Sequence, residues 1–219
     1  MAAPADETGE IGVAMTMPAY WNEATQELGA RDPVFSKLAT RYPGLVIGSR
    51  GDAFSTLARA IVGQQISVKA AQSVWDRLVV EITAMTPTHL GAADSARLRT
   101  CGLSGQKSAY LLDLAQRFSS GALDPERWAA LDDEALIAEL TQVKGIGRWT
   151  AEMFLIFYMA RPDVLPLDDI GLQRAMSLHY NAGRPLSKLK MRRIGKGWVP
   201  WRSVATWYLW RSLEPLPLA

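Results

Sequence analysis

The sequence predicts an all-α fold, and three observations predict it. Apolar residues recur at helical spacing along most of the chain, with no convincing series of alternating strands. Residues that cap helices stand where the apolar runs begin: Asp52, Ser67, Ser104 and Asp132. Prolines such as Pro33 and Pro87 fall at the starts of these runs, where a missing N–H costs nothing.

Taken in order, residues 18–42 read as two short helices parted at Arg31-Asp32-Pro33. Asp52 opens a helix over 53–64, and Ser67 opens one over 68–83. Pro87 and Asp94 open short segments, and Ser104 starts a longer helix ending near Gly121. Asp132 caps a helix running to residue 140, a glycine turn follows, and 148–159 is apolar and helical. Beyond a loop at 161–166, helices are expected at 169–180, 187–194 and 201–212, the last stopped by Pro215-Leu216-Pro217. Roughly ten helices result, with no internal repeat, low-complexity block or long linker. We expect one domain over 18–214, built as two helical lobes. The middle of the chain forms one lobe and both ends together form the other. Residues 1–17 are expected to be a flexible acidic tail.

At 219 residues, 48% hydrophobic and 21% charged, the chain can bury a real core, and disorder is expected only at its ends. No apolar run is long enough to cross a bilayer, and the first residues lack the basic and apolar regions of a secretory signal. A protein of the cell interior is expected, cytoplasmic in a bacterium or nuclear in a eukaryote, without a membrane partner. Cys101 is the sole cysteine, which excludes an intramolecular disulfide, a four-cysteine zinc site and a cysteine-ligated iron–sulfur cluster. His89 and His179 are isolated, and the His-x-Glu and Pro-Cys-x-x-Cys signatures of a zinc deaminase are absent.

The net charge of +2 says less than its distribution. Before Arg31 every charged side chain is acidic: Asp6, Glu7, Glu10, Glu23 and Glu27. Between 184 and 211 every one is basic, and the segment is interleaved with Trp198, Trp201, Trp207 and Trp210. Such a pattern suits a polyanion. It equally suits a solvated basic helix lying over a tryptophan-rich core.

Residues 140–174 carry the most information. Gly145-Ile146-Gly147 sits between two helical patterns, and Pro166-Leu167-Asp168-Asp169 opens another helix some twenty residues on. Glycines at 145 and 147 leave the backbone uncovered, so free amides and the N-terminus of the next helix can receive a phosphate. Such a grip reads no base sequence. Alone, a Gly-x-Gly is more often only a tight helix–helix turn. An Asp-Asp pair before a helix is, alone, more often only a cap.

Four separated motifs in order make the chain resemble the helix-hairpin-helix (HhH-GPD) DNA glycosylases, in particular the 3-methyladenine DNA glycosylase II branch. They are Ile61-Val62-Gly63-Gln64-Gln65-Ile66-Ser67-Val68, Gly145-Ile146-Gly147-Arg148-Trp149-Thr150-Ala151, Leu165-Pro166-Leu167-Asp168-Asp169, and Trp198-Val199-Pro200-Trp201-Arg202-Ser203 with Trp210 beyond. The resemblance spans roughly residues 20–213 and places the helix-hairpin-helix at about 132–160. It implies an active site in the cleft between the lobes. The catalytic acid falls on Asp169, where a helix start favours the ionised carboxylate, and Asp168 is left a capping or structural role. The carboxylate would stabilise the positive charge that develops on the sugar as the base departs.

The resemblance also implies a flipped base held by Trp149 and Trp210, with Met153 where this branch usually has an aromatic residue. Gln65 stands at the wedge that fills the gap in the duplex. Gln64, Ser67, Lys144, Gly145, Ile146, Gly147 and Arg148 stand at DNA-contacting positions. Main-chain carbonyls of Thr141, Val143 and Ile146 would hold a monovalent cation, and no organic cofactor is implied. Relatives that also cut the strand carry a lysine where this chain has Trp149, so a hydrolase that leaves an abasic site is expected. Lys144 takes a position usually held by proline. The partner implied is double-stranded DNA carrying alkylated purines, scanned by a monomer. The chain starts close to the helical core, so the N-terminal β-rich domain of some relatives is expected to be missing. Two other readings stay open: a non-catalytic DNA-binding module, and a glycosylase for deaminated or oxidised bases.

Overall fold

Thirteen α-helices and one 3-10 turn form the regular structure of residues 17–43 and 51–214, the part of the chain that the computed structural model describes. No strand occurs among these residues, so the all-α expectation holds. The expected tail lies almost wholly outside them, as does the Pro215-Leu216-Pro217 stop. The helices are α1 (Trp21–Arg31), α2 (Pro33–Arg41), α3 (Ala53–Gly63), α4 (Val68–Ile82), α5 (Pro87–Gly91), α6 (Ser95–Thr100) and α7 (Gly105–Ser119). There follow α8 (Pro125–Trp128), α9 (Asp133–Leu140), α10 (Arg148–Phe157), α11 (Ile170–Tyr180), α12 (Lys188–Gly195), the 3-10 turn Lys196–Trp198, and α13 (Arg202–Arg211).

The capping residues act as the sequence predicts. Asp52 accepts from the Ser55 N–H at 2.9 Å, Ser67 from Ala70 at 3.2 Å, Ser104 from Lys107 at 3.1 Å and Asp132 from Ala135 at 2.7 Å. Each satisfies one of the amides that a helix start leaves without a partner. The sequence reading missed α8, because a four-residue turn is too short to show a period.

Two sets of helices pack among themselves. α3 lies against α4 and α7, with α5 and α6 also on α7, while α1, α2 and α11 gather on α13. The second set joins the two ends of the described chain: Trp21 meets Trp207 edge-on at 5.2 Å, and the Tyr180 hydroxyl donates to Asp32 Oδ2 at 2.7 Å. α10 pairs with α9 and touches α3, so it stands between the sets. Buried side chains of both sets form one continuous cluster.

This packing decides most of the tryptophan question in favour of core. Trp198 and Trp207 are 1% and 3% exposed. Trp201 stacks on Tyr20 and donates its indole N–H to Glu27 at 2.8 Å. Of the four tryptophans in the basic segment, Trp210 alone reaches Asp169. No helix among the described residues is long and apolar enough to cross a membrane.

Candidate active site

Asp169 is the N-cap of α11, with the extended backbone that a cap requires. Its Oδ1 accepts the Leu172 N–H at 2.6 Å and the Trp210 indole N–H at 2.7 Å. Its Oδ2 accepts the Trp149 indole N–H at 2.9 Å. Three N–H donors thus converge on one nearly buried carboxyl, an arrangement that asks for an acceptor on every oxygen. Of the capping and structural roles left to Asp168, capping falls to Asp169 instead. A cap must directly precede the first helical residue, and Asp169 does so. Asp168 is half exposed and pairs with Lys188.

The loop that presents Asp169 is braced on both sides. Gln173 Nε2 donates to the Leu167 carbonyl at 2.9 Å, and the Asp169 N–H returns to Pro166 at 3.0 Å. Behind the loop, Arg202 grips Asp163 with two bonds of 2.6 and 2.8 Å. Ser203 accepts from the Val164 N–H and donates to the Arg161 carbonyl. α13 therefore carries Trp210 and also anchors the chain that delivers the acid.

Trp149 is 46% exposed, so about half of this side chain is open to solvent while its N–H holds the carboxylate. Phe157, unmarked in the sequence reading, stacks on Trp210 with centroids 5.7 Å apart and planes within 12°. The signal was available: Trp149, Met153 and Phe157 recur every four residues along α10 and share a stripe. Met153 is partly buried against the core within that stripe. Gly171 was missed as well. A Cβ there would lie 3.1 Å from both Asp169 Oδ1 and Trp210 Cδ1, so a larger residue would press on the contact between the indole and the acid.

The hairpin between α9 and α10 has the backbone expected of it. Gly145 takes φ +85°, and a Cβ there would enter the Tyr110 ring. Around Gly147 there is open space, and α10 begins with no side-chain cap, so no capping side chain occupies its first amides. Ile146 is buried and offers only main chain. The Lys144 side chain is exposed near Asp113, while its N–H donates to Asp113 Oδ2 at 3.0 Å.

Arg148 departs from a phosphate-binding side chain. Its guanidinium bonds Glu134 at 2.5 and 2.9 Å and Glu152 at 2.9 Å, so this side chain is already engaged by two carboxylates. Glu152 is 3% exposed, and burial pushes its carboxyl up despite Arg148. These groups line a cleft of about 570 Å³ whose acids and arginines largely pair with one another, so it offers no concentrated charge to a ligand. Among the described residues no cluster of His, Cys, Asp or Glu could hold a metal ion. A cation at the hairpin would have to rest on carbonyls. Of the three named, Val143 O already accepts the Ile146 N–H at 3.1 Å.

The two adjacent glutamines separate clearly. Gln64 turns inward, and its Nε2 donates to the Gly145 carbonyl at 2.7 Å. Gln65 is exposed and left-handed, with φ +58°. Ser67 spends its oxygen on capping α4.

Residues 58–200 match the family described as HhH-GPD superfamily base excision DNA repair protein. DNA-3-methyladenine glycosylase 1 of Schizosaccharomyces pombe is 34% identical over 163 residues, covering 73% of this chain and 72% of that one. A DNA-3-methyladenine glycosidase structure from Bacillus halodurans superposes with a TM-score of 0.81 at 31% identity, over 86% of this chain and 88% of that chain. The S. pombe enzyme in complex with abasic DNA superposes with a TM-score of 0.75 at 30% identity, over 89% and 98%. Across the curated relatives matched, the chain spans from 40% to 96% of their length. With the hairpin, the aspartate and the family match in agreement, the chain belongs to the HhH-GPD superfamily of base excision DNA repair proteins.

Proposed function

We infer that this protein is a monofunctional DNA glycosylase that flips alkylated purines of the 3-methyladenine and 7-methylguanine type out of double-stranded DNA. It hydrolyses the glycosidic bond and leaves an abasic site. One observation carries the reading: a single carboxylate, Asp169, held by the indoles of Trp149 and Trp210, the first of them half exposed. The naming of the relatives as 3-methyladenine glycosylases supports the substrate class, and the relative solved with abasic DNA supports DNA as the partner.

An alkylated purine carries positive charge, so an electron-rich indole attracts it by stacking and cation–π interaction. The same charge weakens the glycosidic bond. As the base leaves, positive charge shifts to the sugar, and the Asp169 carboxylate stabilises it and orients the incoming water. Trp149 supplies no amine at the position where a strand-cutting relative needs one, so no imine to the sugar forms there. The cleft between the helix sets would be the site of catalysis. Amides at Gly147 and the start of α10, with Lys144 nearby, would hold the backbone phosphate, and Gln65 would fill the gap in the duplex. A monovalent cation on the Thr141, Val143 and Ile146 carbonyls would add positive charge beside those amides.

The test is a product analysis on methylated duplex DNA. Free 3-methyladenine or 7-methylguanine, with strand breaks appearing only after alkali and no borohydride-trapped adduct, supports the reading. Trapped adduct or direct breaks would replace it with a lyase. DNA binding without base release would replace it with a binding module.

A further inference from the structure

α7 touches both of the turns that the proposed function sends to DNA, and it does so along one face. Lys107, Tyr110 and Asp113 lie at three-residue steps on that helix. Lys107 Nζ donates to the Val62 carbonyl at 2.7 Å and to the Gln64 carbonyl at 2.6 Å. These carbonyls belong to the C-terminal end of α3, where a helix leaves acceptors unpaired and its dipole is negative. Tyr110 packs its ring against Gly145, and Asp113 accepts the Lys144 N–H and pairs with Arg117. The Gln64 side chain closes the circuit by donating to the Gly145 carbonyl.

Gln65 follows directly on Gln64, with a left-handed backbone that a residue bearing a Cβ rarely adopts. Such a conformation persists only when its surroundings over-determine it. Here the determinant on the α3 side is a cation fixed to the Val62 and Gln64 carbonyls. Lys107 also lines a cleft of about 400 Å³, together with Gln65, Ile66, Leu103 and Ser104. Partial burial lowers the pKa of the Lys107 ammonium by taking the charge out of water.

We propose that Lys107 is a positioning residue for base flipping: from α7 it fixes the turn that presents Gln65, and holds that turn in register with the phosphate-binding hairpin. The proposal rests on the reading of Gln65 as the wedge. Lys107 touches neither the base nor the sugar, so its loss should matter only when a paired base must be displaced.

The experiment compares single-turnover release of 7-methylguanine from two duplexes, one with the lesion opposite cytosine and one with it opposite an abasic analogue. Wild type, Gln65→Ala, Lys107→Met and Lys107→Arg are measured on both. Lys107→Met should lose about tenfold or more on the paired lesion and less than about twofold on the unpaired one, matching Gln65→Ala. Lys107→Arg, which keeps the charge and two-carbonyl reach, should recover most of the rate. Lys107→Gln serves the same comparison if the methionine variant melts early. Equal slowing on both duplexes, or no slowing, would overturn the proposal. If Gln65→Ala shows the pairing dependence and Lys107→Met does not, the wedge stands and the positioning role falls. If Gln65→Ala shows none, the wedge reading falls and the proposal with it.

Discussion

The indole N–H of Trp149 donates to Asp169 Oδ2 at 2.9 Å, joining the start of α10 to the start of α11 across 20 residues of chain. The other oxygen is fixed by the Leu172 amide and Trp210, so the two tryptophans divide the carboxylate between them. Oδ1 is the anchored oxygen. Oδ2 is the one beside the half-exposed indole.

This division predicts different outcomes for the two tryptophans. Trp149→Phe keeps an aromatic face but loses the N–H that donates to Oδ2, so it should leave the concentration dependence nearly unchanged and lower the maximal rate. Trp149→Ala removes the stacking surface and should weaken binding by about 1–3 kcal/mol, read as single-turnover rate against enzyme concentration. Trp210→Phe removes an anchor from Oδ1, so its loss should appear in the maximal rate rather than in the concentration dependence. Equal effects of Trp149→Phe and Trp149→Ala would contradict the stacking role.

The hairpin glycines should also part company. Gly145→Ala forces a Cβ onto a left-handed backbone and into Tyr110, so it should cost more than about 1 kcal/mol in thermal or denaturant unfolding. Gly147→Ala meets open space and should change stability by less than about 1 kcal/mol. It should nonetheless weaken DNA binding, because the new methyl stands where a phosphate must approach the amides. Binding by Gly147→Ala equal to wild type would move the phosphate elsewhere.

Glu152 predicts a pH effect. Burial raises its carboxyl in the fold, so the folded chain holds this proton more tightly than the unfolded chain does. Its contribution to stability is therefore fully present below the ordinary value of 4.5 and is lost as pH rises through the folded value. Melting of wild type minus that of Glu152→Gln should fall as pH is raised from 4.5 and then level off. A gap that grows with pH would show that Arg148 outweighs burial.

Local signals made much of this legible. Caps at Asp52, Ser67, Ser104 and Asp132 announce their helices within a residue or two, since capping depends on adjacent positions. Asp169 and the hairpin were readable as motifs for the same reason. What the sequence hid depends on packing across long separations. That Gln64 turns in to Gly145 while Gln65 turns out is set by contacts 81 residues away. Arg148 resembles a phosphate ligand until Glu134 and Glu152 are brought beside it. Gly171 has no local signature, because its role is to let Trp210 approach from α13.

The central claim is tested most directly by single-turnover base release from methylated duplex DNA with wild type, Asp168→Asn, Asp169→Asn and Asp169→Ala. Asparagine caps a helix about as well as aspartate, but its NH2 would face the Trp149 N–H, so Asp169→Asn should fold with a loss of about 1 kcal/mol, and Asp169→Ala, which also loses the cap, should lose more. Asp168 only pairs with Lys188 at the surface, and Asp168→Asn should stay within about threefold of wild type. The account predicts that Asp169→Asn binds DNA normally and releases base at least about a hundredfold more slowly. Release by a folded Asp169→Asn at the wild-type rate would contradict it.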